Sequence, residues 1–572
     1  MSRRAVRIGN CSGFYGDRIE AAREMVEGGP IDVLCGDYLA ELTMLILAKA
    51  QAKDPSAGYA RTFLTQVEAV LGTCLERGMR IVANAGGLNP AGLAAAVREV
   101  AARLGLTARV AHVEGDDLRG SLGAVVPPVE GAPVSANAYL GGWGIARALV
   151  AGADVVVTGR VTDASLVVGP AAWWHGWGRG DWDALAGAVV AGHVIECGPQ
   201  ATGGNYPFLD ELTDRHYPGF PIAEVAADGS SVITKHPGTG GLVSVGTVTA
   251  QLLYEIAEPA YIGPDCTAHF DTIRLAQDGE HRVAISGVRG SPPPPLLKVA
   301  LNEAGGFRNT VTLVLTGLDI EAKAAHAEAL LFEVLGGRDR FAEVDVRLLR
   351  FDTPDAPSNE RATAHLRITV KDPDPRTVGR AFSGAAMELA LGGYAGFHTT
   401  SPPTPESAFG IYRPAAVARS AVRHTVVLPG GERLVIDDPE VGGEVPAPPQ
   451  APAPAPVEDG PHTAVPLGVV CGARSGDKGG NANIGLWTRT DAEYAWLRRF
   501  LTADKARELL GPEAADLTID VWALPNLLAL NVVVHGILGA GVASSTRPDP
   551  QAKGLGEYLR SRVVEVPVEL LS

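Results

Sequence analysis

Arg160 and Asp163, three residues apart in Thr158-Gly159-Arg160-Val161-Thr162-Asp163, place a guanidinium beside a carboxylate. An arginine fork can grip a carboxylate or phosphate through two parallel hydrogen bonds; it can equally pair with its own neighbour, here Asp163. Asp37, in Cys35-Gly36-Asp37, and Asp117, in Glu114-Gly115-Asp116-Asp117, are the candidates for proton transfer. A divalent cation on these acids has no further motif behind it, and paired Asp116-Asp117 also suits an ordinary loop. Asn10, Asn84 and Asn137 could orient a substrate carbonyl through their amides. Ser12 and Phe14 in the first of these loops, and Gly86, Gly87 and Asn89 in the second, extend the candidate surface. Gly, Asn and Asp are also turn residues. Phe14 and Arg160 are not, and they tip the reading toward a ligand site.

The densest motif is Arg474-Ser475-Gly476-Asp477-Lys478-Gly479-Gly480-Asn481-Ala482-Asn483-Ile484-Gly485. Its glycines would free backbone N–H groups to cradle a phosphate or carboxylate. Arg474 and Lys478 add charge, and Ser475, Asp477, Asn481 and Asn483 add polar contacts. It lacks the closing Gly-Lys-Ser/Thr of a P-loop, and a tight structural turn is the competing reading. Lys235-His236, followed by Gly238, Gly240 and Gly241, could hold an anion or donate a proton, or form a domain-junction loop. Ser135–Gly142 reads as a polar entry to a helix, whose N-terminus attracts anions. His193-x-x-Glu196-Cys197 and Asp265-Cys266-x-x-His269 come without a paired CxxC or HExxH, so no zinc is assigned. Cys11 reads as small apolar packing more readily than as a nucleophilic thiol. Gly9-Asn10-Cys11-Ser12-Gly13 misplaces its glycines for a dinucleotide fingerprint, which counts against a nicotinamide enzyme.

Short apolar runs must position these residues. Ala5–Ile8, Ile31–Leu34, Ile81–Ala83, Ala108–Val113 and Val155–Val157 each end in one of the polar loops, with helical stretches between them. That alternation predicts parallel strands in βα units, whose carboxyl ends share one ligand-binding edge. Helices are expected over Arg18–Glu27 (capped by Asp17), Ala40–Lys53, Tyr59–Arg77, Pro90 to Gly105, Tyr139–Ala151 and Ala184–Val194. The expected fold class is α/β, with a parallel Rossmann-like sheet over 1–235 and an α+β continuation over 236–442. In the latter, Leu242–Val248, His269–Leu275, Arg282–Ile285 and Thr310–Leu315 read as β-rich. A proline-rich linker follows at 443–461, then a ferredoxin-like α+β domain at 462–572.

With 49 basic against 65 acidic residues the 572-residue chain carries −16, which disfavours nucleic acid and anionic membranes as partners. Leu42–Leu47 and Leu527–Val534 are too short to span a bilayer. No signal-peptide apolar region follows Met1-Ser2-Arg3-Arg4. Six cysteines are too sparse for a disulfide framework, and a reduced cytoplasmic enzyme is expected.

Ile8–Asp17, Cys35–Glu41, Asn84–Pro90 and Val157–Ser165 resemble the acyclic terpene utilisation family (AtuA). Arg474–Gly485 and Pro525-Asn526-Leu527 to His535 resemble the ferredoxin-fold domain of its longer members. The resemblance implies cytoplasmic proteins of acyclic isoprenoid breakdown through branched acyl-CoA thioesters, and it assigns no reaction or catalytic residue. The combined expectation is hydratase- or lyase-type chemistry on a carboxylated or branched acyl-CoA. Asp37, Asp117, Lys235 and His236 would move protons, and Arg160 and Lys478 would anchor the anion. No cofactor is called for; a homo-oligomer and association with an acyl-CoA carboxylase or lyase are expected. The alternatives are a non-catalytic acyl-CoA-binding or assembly subunit, and nucleotide-dependent phosphoryl or adenylyl transfer.

Overall fold

The computed structural model describes residues 3–443 and 460–571. Most of the expected proline-rich linker, 444–459, lies outside the described residues. The chain forms two compact units, Met1–Asn302 with Tyr412–Val542 and Asp549–Ser572, and Glu303–Ile411 with Ala543–Pro548.

The first unit is built on an 11-stranded mixed sheet. Its parallel part comprises Val6–Asn10 (β1), Val33–Gly36 (β2), Arg80–Ala83 (β3), Val110–Glu114 (β4) and Val155–Thr158 (β5). These pair side by side in the order β1-β2-β3-β5-β4. Each apolar run read from the sequence is therefore a strand, buried on both faces as parallel strands are. Val33 and Cys35 enter one core and Leu34 the other, the two-residue period of a strand. Because β5 sits between β3 and β4, its end carries Arg160 between the Asn84 loop and the Asp116 loop. Pro221–Val225, Ser231–Lys235, Val283–Ser286 and Arg274–Gln277 extend the sheet beyond β1. Thr425–Val427 and Arg433–Val435 extend it beyond β4, all antiparallel.

Several local expectations need correcting. Leu242–Val248 is not β-rich: a helix runs over Val245–Leu252, started by a reciprocal cap between Ser244 and Thr247. Ser135–Ala138 is a strand paired with Val299–Asn302, and the helix after it begins only at Trp143. Asp17 caps no helix; its carboxylate accepts from Gly13 N and Arg18 N and closes the first loop. Asn89 does cap one, accepting from Gly92 N ahead of Pro90 at the first helical position.

The C-terminal part of this unit has four antiparallel strands, in the order Gly472–Lys478, Asn481–Trp487, Ala529–Val534 and Ile519–Leu524. Arg474–Gly485 is therefore a hairpin turning at Gly479-Gly480, not an open glycine loop. Its ladder runs from Gly472↔Trp487 to Lys478↔Asn481, so this backbone is spent on the sheet rather than on an anion. Ala482, Ile484 and Leu486 enter a core shared with the helices Asp491–Phe500, Ala503–Leu510 and Leu555–Ser561. The other face packs on the rest of the unit, and Trp487 joins the large core there. A Cβ on Gly485 would stand 2.3 Å from Leu253 Cβ, so only glycine permits that approach.

Two asparagines fasten the contact. Asn483 Oδ1 accepts from Glu255 N at 2.7 Å, and its Nδ2 donates to Leu253 O at 2.9 Å. Asn531 Nδ2 donates to Ala257 O at 2.6 Å and Ile256 O at 3.1 Å, while its Oδ1 accepts from Asn483 Nδ2. Both asparagines are fully buried.

In the second unit, the latter part of Leu296–Thr316 pairs with Thr363–Asp372, which pairs with Glu343–Arg350. The helices Ile320–Val334 and Arg380–Gly392 cover one face of this sheet. Among the described residues no helix is long and apolar enough to cross a membrane.

Asn531→Ala strands two carbonyls and the Asn483 amide, and should cost about 2–4 kcal/mol. Denaturant unfolding should show the loss, with earlier proteolysis of the C-terminal domain; an unchanged midpoint would mean the asparagines do not carry the contact.

Candidate active site

Arg160 is 3% exposed at the end of β5. Its Nη1 donates to Asp163 Oδ1 at 2.7 Å and to Leu39 O at 3.1 Å, and its Nη2 to Tyr139 OH at 3.2 Å. The guanidinium lies 4.3 Å from the Tyr139 ring centre. Asp116 fixes the backbone beneath it, accepting from Arg160 N and from Asn137 Nδ2, both at 2.8 Å. Burial drives Arg160 toward losing its proton; Asp163, Tyr139, Glu41 and Asp37 more than offset this and hold it charged.

Charged groups from distant segments gather around it. Tyr139 OH donates to Glu41 Oε1 at 3.1 Å, and Lys298 Nζ stands 3.7 Å from the same oxygen. Lys298 also lies over the Tyr139 ring, with Tyr412 in the same group. From the C-terminal hairpin Lys478 Nζ donates to Glu255 O at 2.6 Å and lies over Tyr261. Lys553 is 4.0 Å from Glu255 Oε1 and bonds the Tyr254 hydroxyl. Solvent reaches several of these side chains: Asp163 is 28% exposed, Glu41 30%, Glu255 38% and Lys298 48%. Yet burial is the strongest influence on Glu41, Glu255 and Lys298. Groups that water touches while protein surrounds them form a half-buried charged cluster, the recess of this unit.

The crowding moves the proton affinities apart. Burial, with Glu255 and Glu41 close by, pushes Asp477 up to about 8. Burial pushes Glu255 up to about 7, against the pull of Lys478. Asp37 and Glu196 are driven well up by burial and then by Asp163. Glu41 goes the other way: Lys298 and Arg160 outweigh its burial and hold it ionised. Burial and Lys298 lower Lys478. His193 Nδ1 lies 3.2 Å from Glu196 Oε1, but burial drives the imidazole down to about 4 and the carboxyl well up, so burial works against the charged form of both.

The recess thus brings together Asp37, Arg160, Asp163, Asp477 and Lys478 of the residues singled out in the sequence. Other expected residues build its frame. Asn84 accepts from Tyr38 N and donates to Asp37 Oδ1 at 2.5 Å, fixing that carboxyl. Asn10 accepts from Ser12 N and reaches Glu196 O, and Ser12 donates to Asp37 O. Gly86 N donates to Thr158 O; a Cβ there would lie 2.4 Å from that oxygen, so Gly86 serves loop packing beside Gly87. Arg474 stacks on Tyr254 and bonds Gln200. Ser475 donates to Lys553 O, and Asn481 accepts from Gly536 N. Phe14 is 56% exposed.

Three expected proton-transfer residues are occupied elsewhere. Asp117 is not in the cluster: its carboxylate pairs with Arg119, and its neighbour Asp116 is the buried one. Lys235 donates to Thr239 O and faces Asp214 and Glu280. His236 meets Met25 O at 2.8 Å and packs against Gly28 and Gly29. Cys11 is buried with its thiol pushed well up by that burial, which suits packing and not a thiolate. Among the described residues no group of three His, Cys, Asp or Glu side chains is placed to hold a metal ion.

Sequence reasoning missed Glu41, Glu255, Tyr261, Lys298, Tyr412 and Lys553, and weighed Glu196 only as part of a metal-like spacing. One signal was available. The helix Trp182–Ile195 is buried without a break from Ala184, so His193 and the Glu196 just after it are polar anomalies on an all-apolar element.

Ionisable groups with shifted proton affinities, gathered at parallel strand ends of an α/β fold, mark a candidate functional site. The chain belongs to the acyclic terpene utilisation family AtuA, whose model matches residues 6–428. The AtuA ferredoxin-like domain matches residues 465–565. Membership supports a role in isoprenoid catabolism. No curated protein matches the chain.

Asp116→Ala, which leaves Arg160 N and the Asn137 amide unpaired, should cost about 2–5 kcal/mol. Asp117→Ala should cost under about 1 kcal/mol, as for an exposed pair; equal losses in thermal unfolding would contradict the division of roles. Glu255 and Asp477 bind a proton more tightly folded than unfolded. Their stabilisation is complete below the free values of 4.5 and 3.8 and is lost as pH rises through about 7 and about 8. A melting series over that window should fall less steeply for Asp477→Asn than for the parent chain.

Proposed function

We propose that the chain is an enzyme of isoprenoid breakdown that moves protons on an anionic acyl substrate. The reaction is hydration, dehydration or carbon–carbon lysis of a carboxylated or branched acyl-CoA. The observation that carries this reading is the gathering of two carboxyls whose proton affinity burial raises, Glu255 to about 7 and Asp477 to about 8, with the cations Arg160, Lys298 and Lys478. Neighbouring acids that share a raised affinity titrate as a pair and can divide the roles of acid and base. Near neutral pH one of the two keeps its proton and serves as the acid. The other serves as the base that activates water or takes the substrate proton. Arg160 and Lys298 supply positive charge where a carboxylate or an enolate oxygen would develop its own. Tyr139 and Tyr412 flank that position with hydroxyls.

A panel of branched acyl-CoA thioesters and their carboxylated derivatives, analysed by mass spectrometry for gain or loss of water or chain cleavage, tests this directly. Glu255→Gln and Asp477→Asn should each lower kcat by roughly 10²–10⁴-fold. The pH–rate profile should rise with a group near 7 and fall with one near 8. Full turnover in both variants would remove the assignment, as would an intact chain inert toward the whole panel.

A further inference from the structure

In the second unit the sheet turns an apolar face to its helices and a charged face away from them. Val311, Leu313 and Leu315 lie with Leu366, Ile368 and Val370 in the core. The alternate residues form rows across the opposite face: Arg308 beside Lys371 and Glu343, Thr310 beside Thr369 and Asp345, Thr312 beside Arg367 and Arg347. Lys371 is neutralised by Glu343 at 2.9 Å, and Arg347 by Asp345 at 2.8 Å. Arg308 and Arg367 have no carboxylate among the described residues. Each donates only to a backbone carbonyl of the segment Ala543–Pro548: Arg308 to Ser545 O at 3.1 Å and Arg367 to Thr546 O at 2.6 Å.

We propose that this face is a docking site for a phosphate ester, gripped by Arg308 and Arg367, with the hydroxyl-rich segment Ser544-Ser545-Thr546 beside them. The inference stands apart from the reading of the recess in the first unit.

Arg367 sits directly opposite Arg347 on the paired strand. Like charges in that register weaken a sheet, and two half-buried guanidiniums bonded to neutral carbonyls lose hydration while the nearest carboxylate, Asp345, is engaged by Arg347. Burial, then Arg347 and Arg308, lower the Arg367 affinity for its proton against a partial pull from Asp345, and burial alone lowers that of Arg308. A dianionic phosphate relieves all of these at once. Guanidinium forks match its oxygens in pairs, and the half-buried setting strengthens each bond. A group that served only to clip Ala543–Pro548 to the sheet would need one donor per carbonyl and no uncompensated charge.

The test uses the full chain with pyrophosphate and adenosine 3′,5′-bisphosphate, against sodium chloride of matched ionic strength. Both phosphates should raise the melting midpoint above the salt control. Titration calorimetry should show roughly tenfold weaker binding in Arg308→Gln and in Arg367→Gln, the loss of one charge-assisted contact each. The midpoint of unliganded Arg367→Gln should hold or rise, because a repulsion is removed. No rise with either phosphate, a rise that survives intact in the double variant, or a lowered midpoint in unliganded Arg367→Gln would overturn the proposal. Should Arg367→Gln fail to fold, that counts as the lowered midpoint.

Discussion

Burying the Arg160 guanidinium is the constraint from which the first unit's site follows. A charge removed from water must be compensated by partners on every side, and here each partner comes from a different stretch of chain. Asp163 is local, Leu39 O comes from the loop after β2, and Tyr139 directly follows the strand Ser135–Ala138. Glu41 then enters behind Tyr139, and Lys298 balances Glu41. The order β1-β2-β3-β5-β4 makes this assembly achievable, because it sets β5 at the centre of the loops that must converge on its tip.

The ferredoxin-like sheet completes the wall by using both of its faces. One face holds its own apolar core; the other carries Asn483, Gly485, Trp487 and Asn531, and it docks. Docking delivers Lys478 onto Glu255 O and sets Asp477 close to Glu255 and Glu41. Stability and function are therefore joined: the asparagines that hold the domain in place bond the backbone of 253–257, the same segment that carries Glu255.

The parallel strands were legible because a strand buried on both faces leaves a short apolar run followed at once by its loop. Arg160 was legible because nothing about turn geometry calls for an arginine at a strand end. The versatility of amides misled: Asn10, Asn84, Asn137 and Asn89 offer a donor and an acceptor to any neighbour, and here those neighbours are groups of their own or adjoining loops and a helix start. For the Gly479-Gly480 pair the competing reading, a tight structural turn, is the one the hairpin bears out, and the alternation of Ala482, Ile484 and Leu486 after it is the strand signal that favours it. Lys298, Glu255 and Tyr412 carried no local mark at all. They matter through contacts with groups far away in the chain, and periodicity within one segment does not report which segments meet. Asp116 and Asp117 show the same limit at the shortest range, since two identical side chains on adjacent residues point to opposite fates.

The recess reads as acidic by composition, with Asp37, Glu41, Asp163, Glu196, Glu255 and Asp477 against Arg160, Lys298 and Lys478. Its working charge is different. Burial keeps Asp37 and Glu196 toward their neutral forms, and Asp477 holds its proton to about 8. Asp163, Tyr139 and Glu41 keep Arg160 charged, and Tyr139, Tyr412 and Glu41 do the same for Lys298. The protonated acids therefore remove much of the repulsion an incoming carboxylate would meet, while leaving hydroxyl donors in place. An anion entering this space makes those carboxyls hold their protons more tightly, because each added negative charge raises the affinity of every neighbouring carboxyl. Ligand binding and carboxyl protonation are in this way coupled.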